Sequence, residues 1–117
     1  MKPEHLLPPH LQSEPLGPVE VSILVPTLNE AVTVEEFVRW CREGLESAGA
    51  TGQILLVDSS TDGTPTLALA AGAEVLRVPK RGLGRAYTDA IPFIRGRFVM
   101  REALRVMRTY DACRARL

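Results

Sequence analysis

The 117-residue chain has only two cysteines, Cys41 and Cys113, and two histidines, His5 and His10. The cysteines are far apart and fit neither a zinc site nor a redox pair. Both read as buried or incidental thiols in a reducing compartment. No apolar run approaches the roughly 20 residues of a membrane-spanning helix. Residues 1–17 lack the charged-then-apolar pattern of a secretory leader. The phosphate-binding signatures G-x-x-x-x-G-K-[ST] and G-x-G-x-x-G are both missing. What remains is an ordinary soluble composition, 45% hydrophobic and 24% charged, sized for one small domain with one core.

Net charge is zero, but it is split. Residues 1–76 carry three basic and eleven acidic groups, a net of −8. Residues 77–117 carry eleven basic and three acidic groups, a net of +8. Either the two parts attract each other within one domain or the second part meets an anion. The start holds Pro3, Pro8, Pro9 and Pro15, so residues 1–19 are expected to be a disordered or extended arm with both histidines exposed.

The organising stretch is Gln53-Ile-Leu-Leu-Val-Asp-Ser-Ser-Thr-Asp-Gly-Thr64. Ile54 to Val57 is a short apolar run bounded by turn residues, which reads as a strand buried on both faces. Asp58 then stands at the carboxyl end of that strand, where open α/β sheets place their ligand crevice. Thr64 is expected to cap the next helix and Pro65 to open it. Upstream, Val21 to Val25 is a first strand that Pro26 is expected to close. Val34, Phe37, Val38, Cys41, Leu45 and Ala48 share one helical face. Thr33 with Glu36 fits a capping box, and Gly49 a stop.

Downstream, Pro65 to Ala71 reads as a short helix stopped by Gly72. Glu74 to Val78 reads as an alternating third strand, and Ala86 to Ile91 as a helix ended by Pro92. Arg97 to Met100 opens a fourth strand. Residues 101–117 form a basic helical pattern with Ala103, Leu104, Met107 and Tyr110 on one stripe. The alternation of strand and helix predicts a parallel sheet with right-handed crossovers.

Three loops then open on one edge of the sheet. They supply Pro26, Thr27, Asn29 and Glu30; Asp58 and Asp62; and Lys80, Arg81, Gly82, Gly84 and Arg85. Carboxylates and an amide suit a base and ribose, while cations and backbone N–H groups suit a diphosphate. The pattern reads as a nucleotide site with an acidic and a basic side.

Three motifs in this order carry a resemblance: Val21-Ser-Ile-Leu-Val-Pro-Thr-Leu-Asn-Glu30, Leu56-Val-Asp-Ser-Ser-Thr-Asp-Gly-Thr64 and Lys80-Arg-Gly-Leu-Gly-Arg85. The chain resembles the amino-terminal part of a family 2 glycosyltransferase, of the dolichyl-phosphate mannose/glucose synthase type. The resemblance implies a Rossmann-like GT-A fold, here a truncated parallel sheet with flanking helices. It implies a UDP- or GDP-sugar donor and an acceptor such as a polyprenyl phosphate. Pro26, Thr27, Asn29, Glu30 and Asp58 would hold the nucleoside, Asp62 would order the acidic turn, and the 80–85 loop would border the sugar diphosphate.

The family also uses a divalent metal, Mg or Mn, held by an Asp-x-Asp motif after the fourth strand. This chain reads Phe98-Val-Met-Arg-Glu-Ala-Leu-Arg there, so those ligands are missing. Three parts are expected: an arm over 1–19, a partial donor-binding domain over 20–100 and a basic tail over 101–117. The expectation is a truncated transferase with little activity alone. The alternative is a non-catalytic nucleotide-binding module that works with a partner chain. A cytoplasmic location, contact with a membrane surface, self-association through exposed edges and no nucleic-acid partner complete the reading.

Overall fold

A computed structural model describes residues 3–13, 15–80 and 82–101. Five strands form one sheet: β1 (Glu4–Leu6), β2 (Val19–Thr27), β3 (Gly52–Asp58), β4 (Glu74–Arg77) and β5 (Gly96–Arg101). Their spatial order is β1-β4-β3-β2-β5. Three helices connect them: α1 (Val34–Ser47), α2 (Thr64–Ala71) and α3 (Leu83–Ala90). Strands β2 to β5 run parallel, and β1 alone is antiparallel, against β4.

Strands β3 and β4 and the middle of β2 are buried on both faces, because successive side chains point to opposite sides and helices cover both. Ile23, Val25, Ile54, Leu56 and Val75 pack with Val34, Phe37, Val38 and Cys41 of α1 and Ala68 of α2. The alternate residues Leu24, Leu55, Val57 and Leu76 pack with Val78 and with Ala90 of α3. Two thin cores thus sandwich one sheet. Glu74–Arg77 does not alternate in burial, as the sequence suggested. Its first three residues are all buried, since helices cover both sides.

Several local expectations shift. Pro26 does not close β2; the strand runs on to Thr27, and Pro26 pairs in register with Val57. The described pairing of β2 with β5 ends at Leu24 opposite Arg101. Pro26 lies beyond the described part of that pairing. Helix α1 does not use a capping box: the Thr33 hydroxyl leans on the Glu30 carbonyl at 3.5 Å and makes no cap bond. Helix α2 begins at Thr64 itself, with Gly63 as its cap, one residue earlier than read. Gly72 ends that helix in the left-handed region at φ 101°, which glycine reaches without strain.

The arm is the largest correction. Residues 4–6 are a strand, with Glu4, His5 and Leu6 opposite Arg77, Leu76 and Val75. Pro9–Leu11 follows as a 3-10 turn that carries the exposed His10. His5 is not a free histidine. Its Nε2 lies 2.9 Å from the Glu74 carboxylate, and its ring is 5.0 Å from that of Phe93.

Glu74 is the centre of a buried polar knot at the amino ends of the strands. Arg95 Nη1 donates to both of its oxygens at 2.7 and 2.6 Å, and Gln53 Nε2 donates at 3.1 Å. Gln53 Oε1 accepts from Ser22 Oγ at 2.6 Å and from the Arg95 amide at 3.0 Å. Burial pushes the Glu74 carboxyl up. The hydrogen bonds from His5 and Arg95, the Arg95 charge and the Gln53 amide outweigh it, so the net direction is down. A depressed carboxyl contributes stability above its unfolded value and loses it as pH falls. Stability is therefore expected to drop as pH passes below the ordinary value of 4.5. Urea midpoints of the parent and Glu74→Gln measured from pH 7 to pH 3 check this; the parent should fall more steeply.

The two sheet edges differ. Strand β1 covers the β4 edge, whereas β5 pairs only with β2 among the described residues. Phe98, Val99 and Met100 of β5 are exposed. Met100 also lines an apolar groove with Ile23, Trp40, Leu45 and Ala48. No helix among the described residues is long and apolar enough to cross a membrane. The tail reading falls on residues outside the described ones, except for Arg101, which belongs to β5. Cys113 also lies outside them.

Candidate functional site

Because β2, β3 and β4 are parallel, the loops that follow them emerge on one rim. The first two are stitched together through Asp58. This residue ends β3, faces Thr27 in register and is fully buried. Its Oδ1 accepts from Thr27 Oγ1 and Ser60 Oγ, both at 2.6 Å. Its Oδ2 accepts from the Ser60 amide at 3.2 Å and from the Arg77 guanidinium. Arg77 Nη1 also donates to the Ser60 carbonyl at 2.9 Å. A buried carboxylate is tolerated only with such partners.

The β2 loop closes onto this turn. Asn29 has φ 53°, a left-handed conformation that asparagine tolerates better than most residues. Its amide donates to Ser60 Oγ at 2.8 Å, and its Oδ1 accepts from the Thr61 amide at 2.9 Å. The Glu30 amide donates to Thr64 Oγ1 at 2.9 Å. That hydroxyl in turn donates to Asp62 Oδ1, which also accepts the Thr64 amide at 3.0 Å. The Thr64 hydroxyl first, and then its amide, hold the exposed Asp62 carboxyl below the usual carboxylate value.

The third loop joins by its backbone, since the Val78 amide donates to the Asp58 carbonyl at 2.9 Å. Lys80, Gly82, Gly84 and Arg85 are exposed on it and on the first turn of α3. Lys80 and Arg85 have no carboxylate partner among the described residues. Arg81 lies outside the described residues. Of the sequence-read residues, Thr27, Asn29, Glu30, Asp58 and Asp62 are joined through hydrogen bonds at one rim, Pro26 adjoins Thr27, and the described part of the basic loop follows Val78.

Sequence reasoning missed Arg77, Ser60 and Thr64. Arg77 was legible in principle. It is the charged end of an apolar strand, as Asp58 is, and adjacent parallel strands bring such ends together. Asp58 also differs from its expected form. It does not offer a free carboxylate; it organises the rim from beneath.

Among the described residues no set of groups fits a divalent metal. Among the described residues no cluster of three or more histidine, cysteine, aspartate or glutamate side chains exists. The oxygens of Asp58 are taken by donors, and Asp62 is bonded to Thr64.

Comparison with known proteins accords with this geometry. Residues 22–101 match the glycosyl transferase family 2 profile. The chain is 35% identical over 79 residues to the low-salt glycan biosynthesis hexosyltransferase Agl6 of Haloferax volcanii, covering 68% of this chain and 19% of that protein. It also resembles the crystal structure of mannosyl-3-phosphoglycerate synthase from Rubrobacter xylanophilus. That match has a TM-score of 0.63 and 33% identity, and covers 69% of this chain and 29% of the synthase. The chain therefore spans less than a third of either relative, and its mixed α/β sheet is the GT-A type. Three strand-end loops, matched in order by a profile that begins in β2 and ends with β5, make this chain a member of glycosyl transferase family 2.

Proposed function

We propose that this domain binds the nucleotide diphosphate of a sugar donor at the carboxyl rim of β2, β3 and β4. The observation that carries the reading is the stitched pair of loops around Asp58, with a basic loop bonded to the same residue's carbonyl. The acidic loops present Pro26, Thr27, Asn29 and Glu30 to the nucleoside, with Asp58 and Asp62 holding them in place. Lys80, Arg81, Gly82, Gly84 and Arg85 border the diphosphate. Such rigid placement of polar groups favours binding because little ordering remains to be done. The complete reaction is hexosyl transfer to an acceptor such as a polyprenyl phosphate.

A second reading is a non-catalytic nucleotide-binding module. It is favoured by the misfit of the described carboxylates to a metal. Calorimetric titration with UDP and with GDP tests both. One of the two is expected to bind with a Kd of about 1 mM or tighter, and Asn29→Ala should weaken it at least fivefold or so, by freeing the loop from Thr61. A radiolabelled-sugar transfer assay then separates the readings. Turnover marks an enzyme, and binding without turnover marks a module. No binding of either nucleotide defeats both.

A further inference from the structure

We propose that the rim meets the nucleotide diphosphate with fixed side-chain cations, led by Arg101, and that binding needs no divalent metal. This rests on the nucleotide reading above. Its starting point is the disagreement between the family's metal and the groups this chain presents.

Arg101 is the last described residue of β5, which runs parallel to β2 and so heads toward the end of the sheet that carries the three loops. Its register partner is Leu24, three residues before Thr27, about 10 Å along the strand. Leu24 belongs to the core beneath α3, and Arg101 shares that face. There its guanidinium lies 5.3 Å from the ring centre of Tyr87, in the helix that leads out of the basic loop. Stacking on a ring restricts the arginine side chain without neutralising it. Arg101 remains exposed and has no carboxylate partner among the described residues. The same helix carries Arg85 in its first turn, and Lys80 stands on the loop before it.

The electrostatic demand at this rim is for positive charge. A divalent ion supplies it only where several oxygen donors are free to hold the ion. Here the carboxylates nearest the turn are already bonded to hydroxyls, amides and Arg77. Lys80, Arg85 and Arg101 stand without a carboxylate partner among the described residues. Arginine offers a planar fork of donors suited to phosphate oxygens, and its charge does not depend on pH in the working range. Arg101, Lys80 and Arg85 therefore supply directly what carboxylates would otherwise recruit through an ion.

The test is calorimetric titration of the full chain with UDP and GDP, once with EDTA and once with magnesium. The expected result is a Kd that agrees within about twofold between the two buffers. Inorganic pyrophosphate should displace the nucleotide with EDTA present. Arg101→Gln should weaken binding about tenfold or more, and Arg101→Lys should restore most of it. Thermal melts of both variants identify a folding defect, and the lysine variant keeps the charge if glutamine perturbs the strand. Binding seen only with magnesium overturns this inference and leaves the nucleotide reading standing. So does an Arg101→Gln variant that binds like the parent. Absence of binding in both buffers removes the inference and the nucleotide reading together.

Discussion

Replacing Asp58 with alanine is expected to cost about 3 kcal/mol of folding stability, the low end of the range for breaking a buried ion pair, because the Arg77 guanidinium left behind is partly exposed to water. The carboxylate is fully buried and gathers Thr27, Ser60 and Arg77, so its loss leaves four donors from these three residues aimed at a void. Domains of this size have roughly 5–15 kcal/mol in total, so the variant stands near unfolding at room temperature. Urea denaturation of Asp58→Ala and Asp58→Asn measures it. The asparagine keeps the shape and can still accept from Thr27 and Ser60, and it should lose less. A loss under 1 kcal/mol for alanine would mean that the turn does not depend on this residue. The result also governs how binding data are read. Nucleotide affinity lost in Asp58→Ala therefore reports a collapsed turn and not a lost ligand contact.

A second large effect is expected at Gly96. A methyl group there would lie 2.3 Å from the Ser22 backbone nitrogen and 2.7 Å from the Val21 carbonyl carbon. Backbone atoms cannot swing aside, so β5 must move away from β2. The move breaks the bond from the Gly96 amide to Ser22 Oγ at 2.7 Å and disturbs the Gln53 side chain beyond it. Gly96→Ala should cost about 3 kcal/mol, the upper end for forced overpacking. Hydrogen exchange should show the amides of residues 97–101 losing protection before those of β3. Equal protection in parent and variant would refute the clash.

Much of the sheet was legible because its strands are short apolar runs that stop at polar turns. Ile54 to Val57 is buried on both faces, as the run implied, and the helix periodicity over Val34 to Ala48 placed α1. The rim was legible too, since a parallel sheet sends every strand-end loop the same way. What escaped the sequence was long-range pairing. Nothing local in Glu4-His-Leu6 signals a strand; it forms because the β4 edge offers unpaired backbone groups and Glu74 offers His5 an oxygen. The prolines nearby argued for an arm, yet Pro3, Pro8 and Pro9 flank the three paired residues and remove no ladder donor. Pro26 does not end its strand either: β2 runs on to Thr27, with Pro26 opposite Val57. Arg77 was overlooked because charge at a strand end was weighed only where a turn rich in hydroxyls followed.

The Glu74 knot and the Asp58 turn sit at opposite ends of β3, with Gln53 and Asp58 about 16 Å apart along the strand. They share no hydrogen-bonding side chain. One end clamps the strands, while the other arranges groups toward solvent. Descent with change in donor preference can therefore proceed at the loops while the clamp stays constant. A designer who grafts new specificity onto this scaffold has a free end to rewrite and a fixed end to leave alone.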